Sequence, residues 1–474
     1  MNRQLVLVIV LVSGLFVGCS SQKNKNDALV KAKFVEATEK QVVDGVPLLE
    51  IKKYVLPNGL RILLAPNNKL PTFSFYLHYG VGAKHEVPGI TGSSHFLEHM
   101  MFKGAKDFGK GSFDRLIEGN GGVSNAYTSN DATVYHENLP IDALEITLRM
   151  EADRMQNLLL DPQEFLAEKD VVLEERKLRY ENSPKGQLFI RTMMTMYEGT
   201  PYGTPVIGSI EDVKKVSRDE VFDYFKKYYA PNNAVLVIAG DISESKTLKL
   251  IEQVFGSIPT STQVEAAKKI RENQQLYVHT FKQDKVELIY GQSENPLFLM
   301  AIPAYPYGSK QSYLLDVLGK MFGSGSSSYL EQKYVKSLSP ILVNVSVGNY
   351  SKQHSGMFYL MGEFYKNQSY GWWKKELQTD LENFCNNEIT PKNLEKAINY
   401  AEKTYYESLD QNDGVADLVG TMELFFGDFK KYVDELKVYK SITVDELKNE
   451  CLLLSKKPKY LLGIWKKFDK KVKL

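Results

Sequence analysis

Residues 87–104, VPGITGSSHFLEHMMFKG, decide how this chain is read, and His95-Phe96-Leu97-Glu98-His99 stands at their centre. Pro88-Gly89 breaks the chain just before it, and the spacing beyond predicts a helix. On a helix, positions i and i+4 share a face, so both imidazoles reach toward one ion. Position i+3 lies on the same side, which leans the Glu98 carboxylate over that ion. Only seven histidines occur in 474 residues. Two of them at ligand spacing, with a carboxylate between, point to a metal centre rather than to incidental histidines on a surface helix.

A catalytic zinc takes three protein ligands and keeps one position open for water. His95 and His99 supply two. Asp161-Pro162 predicts the start of another helix, with proline at its first position, running to about Tyr180. It carries Glu164, Glu168, Glu174 and Glu175. Glu168 and Glu175 lie two turns apart on one face, roughly 10 Å along the axis. Val171, Val172 and Leu178 predict a partly buried helix, and buried carboxylates are costly unless paired or bound to metal. Spacing alone leaves two readings open for these glutamates: a further metal ligand, or a charged solvated face.

Around this centre the chain reads as α+β in two similar-sized halves, each mixing strands and helices. Phe73, Phe75, Leu77, Tyr79 and Val81 alternate with Thr72, Ser74, Tyr76, His78 and Gly80, a strand period. Residues 142–158 read as an amphipathic helix with Leu144, Leu148, Met155 and Leu159 on its stripe. Asn233 to Ile242 is an apolar strand. The expected domains are a metal-bearing half at 49–258, a polar linker at 259–285 and a second half at 286–474. The second half opens and closes on strands, Val286–Tyr290 and Tyr460–Trp465. Helical patterns lie between, at 310–322, 372–387 and 391–408.

Residues 1–18 read as a targeting segment: a short positive start with Arg3, then an apolar run from Leu5 to Gly18. Leu15-Phe16-Val17-Gly18-Cys19 resembles a bacterial lipobox, which makes Cys19 the lipidated first residue of the mature chain. Ser20-Ser21 after it resembles sorting to the outer membrane of a Gram-negative cell, facing the periplasm. Residues 19–48 read as a tether. Cys385 and Cys451 remain, and two buried or unpaired thiols are expected. A net charge of +1, with 43% hydrophobic and 25% charged residues, gives no reason to expect nucleic acid. Membrane contact is expected through the lipid anchor only. His78, His85 and His136 read as strand or loop histidines, and Trp372-Trp373 as core.

Three blocks carry a resemblance: residues 87–104, GGVSNAYTSNDATVYHENLP at 121–140, and EKDVVLEERKLRYENSP at 168–184. Together they resemble the insulinase/pitrilysin family of zinc peptidases, in its half-length, processing-peptidase-like form; the His-x-x-Glu-His order is that of the inverted zinc-peptidase box. The resemblance implies α/β-sandwich halves with antiparallel-rich sheets that form half of a clam-shell chamber. It implies one Zn2+ per chain held by His95, His99 and Glu175, with Glu168 supporting the site from behind. It assigns Glu98 as the general base and matches Asn125 and Ala126 to the edge strand that holds peptide substrate by strand addition.

The same resemblance exposes a departure. In the family an arginine and, seven residues on, a tyrosine follow a Gly-rich turn in the second half and reach the substrate carbonyl. The turn is present at Phe322–Ser328, but those positions fall on Val335 and Leu342. A slip of one residue gives Tyr334/Ile341 or Lys336/Val343 and does not restore the pair. The expected activity is therefore that of a zinc endopeptidase acting on peptides or unfolded segments in the periplasm. It is expected to work as the catalytic subunit of a heterodimer with a homologous subunit that carries the pair. The alternative is a non-catalytic structural or peptide-binding subunit.

Overall fold

The computed structural model describes residues 31–43, 46–264, 274–277, 282–291, 293, 295–365 and 370–466. The expected targeting segment and Cys19 lie outside them, as do the side chains of Trp372 and Trp373. Among the described residues no helix is long and apolar enough to cross a membrane.

Two mixed sheets carry the architecture. The first is built from β1 (Lys33–Thr38), β4 (Ile51–Val55), β5 (Arg61–Pro66), β6 (Thr72–Tyr79), β7 (Val123–Thr128), β8 (Thr133–Pro140) and β9 (Ala234–Gly240), in the order β1-β4-β5-β9-β6-β8-β7. Only β5 and β9 pair in parallel. A small antiparallel pair, β2 (Gln41–Val43) and β3 (Val46–Leu48), lies between β1 and β4 in the chain. The second sheet orders β10 (Lys285–Gly291), β11 (Leu297–Ala304), β12 (Leu342–Ser351), β13 (Gly356–Phe364) and β14 (Tyr460–Lys466) as β10-β14-β11-β13-β12. The α+β reading in two halves holds.

Residues 33–38, 41–43 and 46–48, placed in the expected tether, are strands instead. β1 runs antiparallel to β4 from Lys33↔Val55 to Thr38↔Ile51. As an edge strand, Lys33-Phe34-Val35-Glu36 leaves most of its side chains in solvent, so charge interrupts its pattern as it does on many edges and hides it from a periodicity reading. Leu159 also departs from expectation. Helix α3 ends at Asn157, and Leu159 beyond it is 45% exposed.

Along β6 the alternation is real, yet both faces are covered. Phe73, Phe75, Leu77 and Tyr79 pack into a core with Phe96 and Leu97, Leu148 of α3 (Leu144–Asn157) and Val221. Tyr76 on the opposite face joins Val134, Val235 and Val237 against Ala416, Val419 and Met422. Those last three belong to the helix Asn412–Phe426, which lies in the second half of the sequence but packs across β6 and β9 of the first sheet. The boundary between halves is thus crossed by the chain itself.

Gly420 is what lets that helix close on the sheet. A Cβ there would meet Nε2 of His78 at 2.2 Å, and His78 is fully buried. Gly420→Ala gains about 1 kcal/mol of helix propensity but overpacks a rigid contact at about 1–3 kcal/mol. The expected result is a lowered urea midpoint, a net loss of up to about 2 kcal/mol; an unchanged midpoint would mean that His78 can turn aside.

Cys385 and Cys451 are not free thiols. They form a disulfide with Cα atoms 5.5 Å apart, both fully buried in the second core. The helix Val444–Lys456 packs against the turn Phe384–Glu388, and a sequence separation of 66 hides that contact from a spacing argument.

Candidate metal centre

The helix that carries the histidines, α1 (Ser93–Met100), is short and depends on its neighbours for its direction. Gly92 precedes it at φ 91°, where only glycine is unstrained, and a Cβ there would meet the Ile207 carbonyl at 2.8 Å. The buried carboxylate of Glu86 accepts from the Gly92 and Ser94 amides, at 2.6 and 2.8 Å, satisfying orphan donors of the first turn. Burial pushes Glu86 up to about 8. Asp212 accepts from the Gly89 and Thr91 amides and the Thr91 hydroxyl. The loop into α1 is therefore tied at both ends.

Two turns of α4 (Pro162–Arg176) lie against α1. Asp161 caps it, accepting from the Gln163 and Glu164 amides. Its partial burial is narrower than the sequence implies: Val172 is buried, whereas Val171 and Leu178 are 50% and 67% exposed. The buried side turns Glu168 and Glu175 toward the histidines.

Glu175 Oε2 lies 3.3 Å from His99 Nε2 and 3.7 Å from His95 Nε2. His95, His99 and Glu175 each present one donor atom, all within 4.8 Å of one another. Among the described residues this is the group that could hold a metal ion. The fit has a second mark: Glu175 Oε2 is buried without a hydrogen-bond partner, which is costly unless something else satisfies it. Two imidazole nitrogens and one carboxylate oxygen are a zinc donor set.

Glu168 does not join the cluster directly. Its Oε1 is 2.8 Å from His99 Nδ1, which orients that ring and leaves Nε2 facing Glu175. Lys103 Nζ holds its other oxygen at 2.7 Å. The charges of the site divide accordingly. Burial pushes His95 down to about 4. Burial also opposes charge on His99, but the hydrogen bond with Glu168 and the nearby carboxylate of Glu175 outweigh it and draw that ring up to about 9.

Glu98 stands beside the ligands. Burial raises its pKa against the pull of a hydrogen bond from Thr128 and of nearby His99. The Thr128 hydroxyl donates to Glu98 Oε2, from the last residue of β7. That strand is the free edge of its sheet. The Ala126 amide bonds to Asn125 Oδ1 at 2.9 Å, so it points away from β8 along the open edge. The Tyr127 hydroxyl donates to Asp417 at 2.6 Å.

Sequence reasoning missed Thr128, Lys103, Glu86 and Arg179. Thr128 was within reach, two residues beyond Ala126 and so on the same face of the strand. Lys103 depends on the approach of α4 to α1, whereas Glu86 lies six residues before Gly92 and Arg179 one turn beyond Glu175, with Nη1 on Glu175 Oε1. His78, His85 and His136 stay outside the cluster: His136 stacks on Tyr76 and His85 Nδ1 meets the Gly82 amide.

In the second half, Val335 ends the turn Glu331–Val335 and packs on the second core, while Leu342 is buried at the start of β12. The slipped positions are committed elsewhere. Tyr334 donates to Asp380, and Lys336 Nζ meets the Ser326 carbonyl at 2.9 Å.

Residues 61–209 match the model of the insulinase family (peptidase family M16), and residues 215–400 that of the M16 inactive domain. The zinc protease YmxG of Bacillus subtilis is 30% identical over 405 residues, covering 84% of this chain and 91% of its own. The chain belongs to the M16 insulinase family. The zinc protease PqqE of Helicobacter pylori is 29% identical over 401 residues, 83% of this chain and 87% of its own. The solved structure of a protease from Helicobacter pylori superposes with a TM-score of 0.80 at 26% identity, covering 88% of this chain and all of that one. This M16 chain is accordingly a half-length metalloprotease, with its His-x-x-Glu-His cluster in the insulinase-type half and the inactive-domain half beyond it.

Proposed function

We propose that this M16 protein is a zinc endopeptidase that cleaves peptides or unfolded protein segments in the periplasm, as the catalytic subunit of a heterodimer. The observation that carries the reading is the placement of Glu98 beside a His95/His99/Glu175 donor set, with the open edge of β7 alongside. A zinc ion held by those three residues lowers the pKa of bound water and polarises the scissile carbonyl. Glu98 takes the water proton and passes it to the leaving amine. Glu168 keeps His99 oriented. The outward amide of Ala126 and its neighbour Asn125 align the peptide as an added strand.

The partner follows from what the second half offers. Val335 and Leu342 carry no side-chain donor, and each missing oxyanion donor is worth about 3 kcal/mol. A homologous subunit bringing an arginine and a tyrosine supplies both. Lipidation at Cys19 places the pair on the outer membrane, facing the periplasm. The Cys385–Cys451 bridge supports an oxidising compartment, where disulfides persist.

The test is hydrolysis of an unstructured quenched peptide library by the chain from Ser20 onward, with and without a homologous subunit, each with and without chelator. Chelator-sensitive cleavage confined to the mixture is expected. Equal cleavage by the chain alone would remove the partner from the proposal.

A further inference from the structure

Arg179 lies in the π turn Lys177–Glu181 that continues α4. Its Nη1 is 2.9 Å from Glu175 Oε1, while its side chain stays 65% exposed. Glu175 therefore divides its two oxygens: Oε1 meets a guanidinium, and Oε2 faces the two imidazoles with no hydrogen-bond partner. Two turns back on the same helix the pattern repeats. Glu168 gives Oε1 to His99 and Oε2 to Lys103. Both carboxylates of the site thus offer one oxygen to the histidines and the other to a cation.

The ion pair contributes little to folding. Solvent-exposed i,i+4 pairs are screened and weak, so stability gives no strong reason for a guanidinium here. The geometry gives another. A carboxylate with both oxygens free can close on an ion with either one or two of them, whereas zinc catalysis needs an open position for water.

We propose that Arg179 is a positioning residue of the metal centre: by holding Glu175 Oε1, it leaves Oε2 alone facing His95 and His99 and keeps the Glu98 side free for water and substrate. The inference rests on the zinc-peptidase reading above. Arginine suits the task because its planar fork stays charged and fixes direction, whereas lysine supplies only a point charge.

The test compares full-length Arg179→Ala and Arg179→Lys with the unaltered protein, read by zinc content, the visible spectrum of the cobalt-substituted form, and kcat and KM on a quenched peptide. Thermal unfolding of the metal-free forms checks that all three fold alike. Arg179→Ala is expected to keep its zinc and KM, to lose visible cobalt intensity as the second carboxylate oxygen joins the ion, and to lose about 10–100-fold in kcat, as outer-sphere changes do. Arg179→Lys is expected to recover part of both. An unchanged cobalt spectrum in Arg179→Ala would overturn the proposal. If KM alone then rose, Arg179 would be a substrate contact instead. Absence of a stoichiometric zinc site in the unaltered protein would overturn the peptidase reading itself, a result distinct from either.

Discussion

Glu98→Gln is expected to bind zinc as the unaltered chain does and to lose peptide hydrolysis by about 10³-fold or more. The candidate metal donors are His95, His99 and Glu175, and the substitution leaves them in place. Glutamine also keeps an oxygen to accept from the Thr128 hydroxyl, which bonds Glu98 now. What it cannot do is take a proton. Burial already raises the proton affinity of Glu98, which suits a base that must accept a proton from water and release it to an amine. Metal analysis and single-turnover hydrolysis on the same sample decide the matter. Substantial activity in a zinc-loaded Glu98→Gln protein would assign the base elsewhere.

Arg154→Ala should be the most damaging single change to the fold. Arg154 sits almost fully buried on α3 between two fully buried carboxylates. Its Nη2 is 2.6 Å from Glu151 and 3.4 Å from Glu137. The guanidinium also lies over Tyr135 and Phe113, 4.3 and 4.4 Å from their ring centroids. Burial and the neighbouring Glu151 push the Glu137 carboxyl well above its usual range. Removing the cation strands both acids and opens a cavity between the rings. Breaking a buried ionic group costs about 3–5 kcal/mol, and urea unfolding should report a loss of that size or an unfolded chain. Adding Glu137→Gln and Glu151→Gln to Arg154→Met should recover much of it. A loss below about 1 kcal/mol in Arg154→Ala would mean that water or a proton already serves as the counter-charge.

What the sequence made legible was local. The His95–His99 face follows from helical period alone, and the Glu168/Glu175 spacing put both carboxylates on one side of α4. Strand β6 was readable from its alternation. Less legible was anything set by approach between distant segments. The cover over Tyr76 and His78 could not be read, because nothing near them announces the helix Asn412–Phe426. β1 was lost in its own charge, since an edge strand needs no apolar alternation to pair. The disulfide joins elements that only the second core brings together. Arg179 and Lys103 look like ordinary surface cations until Glu175 and Glu168 are seen to have one oxygen each to spare.

The helix Asn412–Phe426 also sets an order of events. The first half leaves the ribosome with both metal histidines in place but with one face of its sheet bare, Tyr76, Val134, Val235 and Val237 among the residues without cover. Much of that face is covered by residues of the helix Asn412–Phe426, which also bring Asp417 to Tyr127 on the open edge strand β7. A truncated product thus carries the ligands without a finished sheet to aim them. The fold ties the completion of its first sheet, and of the edge strand beside Glu98, to the arrival of its own C-terminal region.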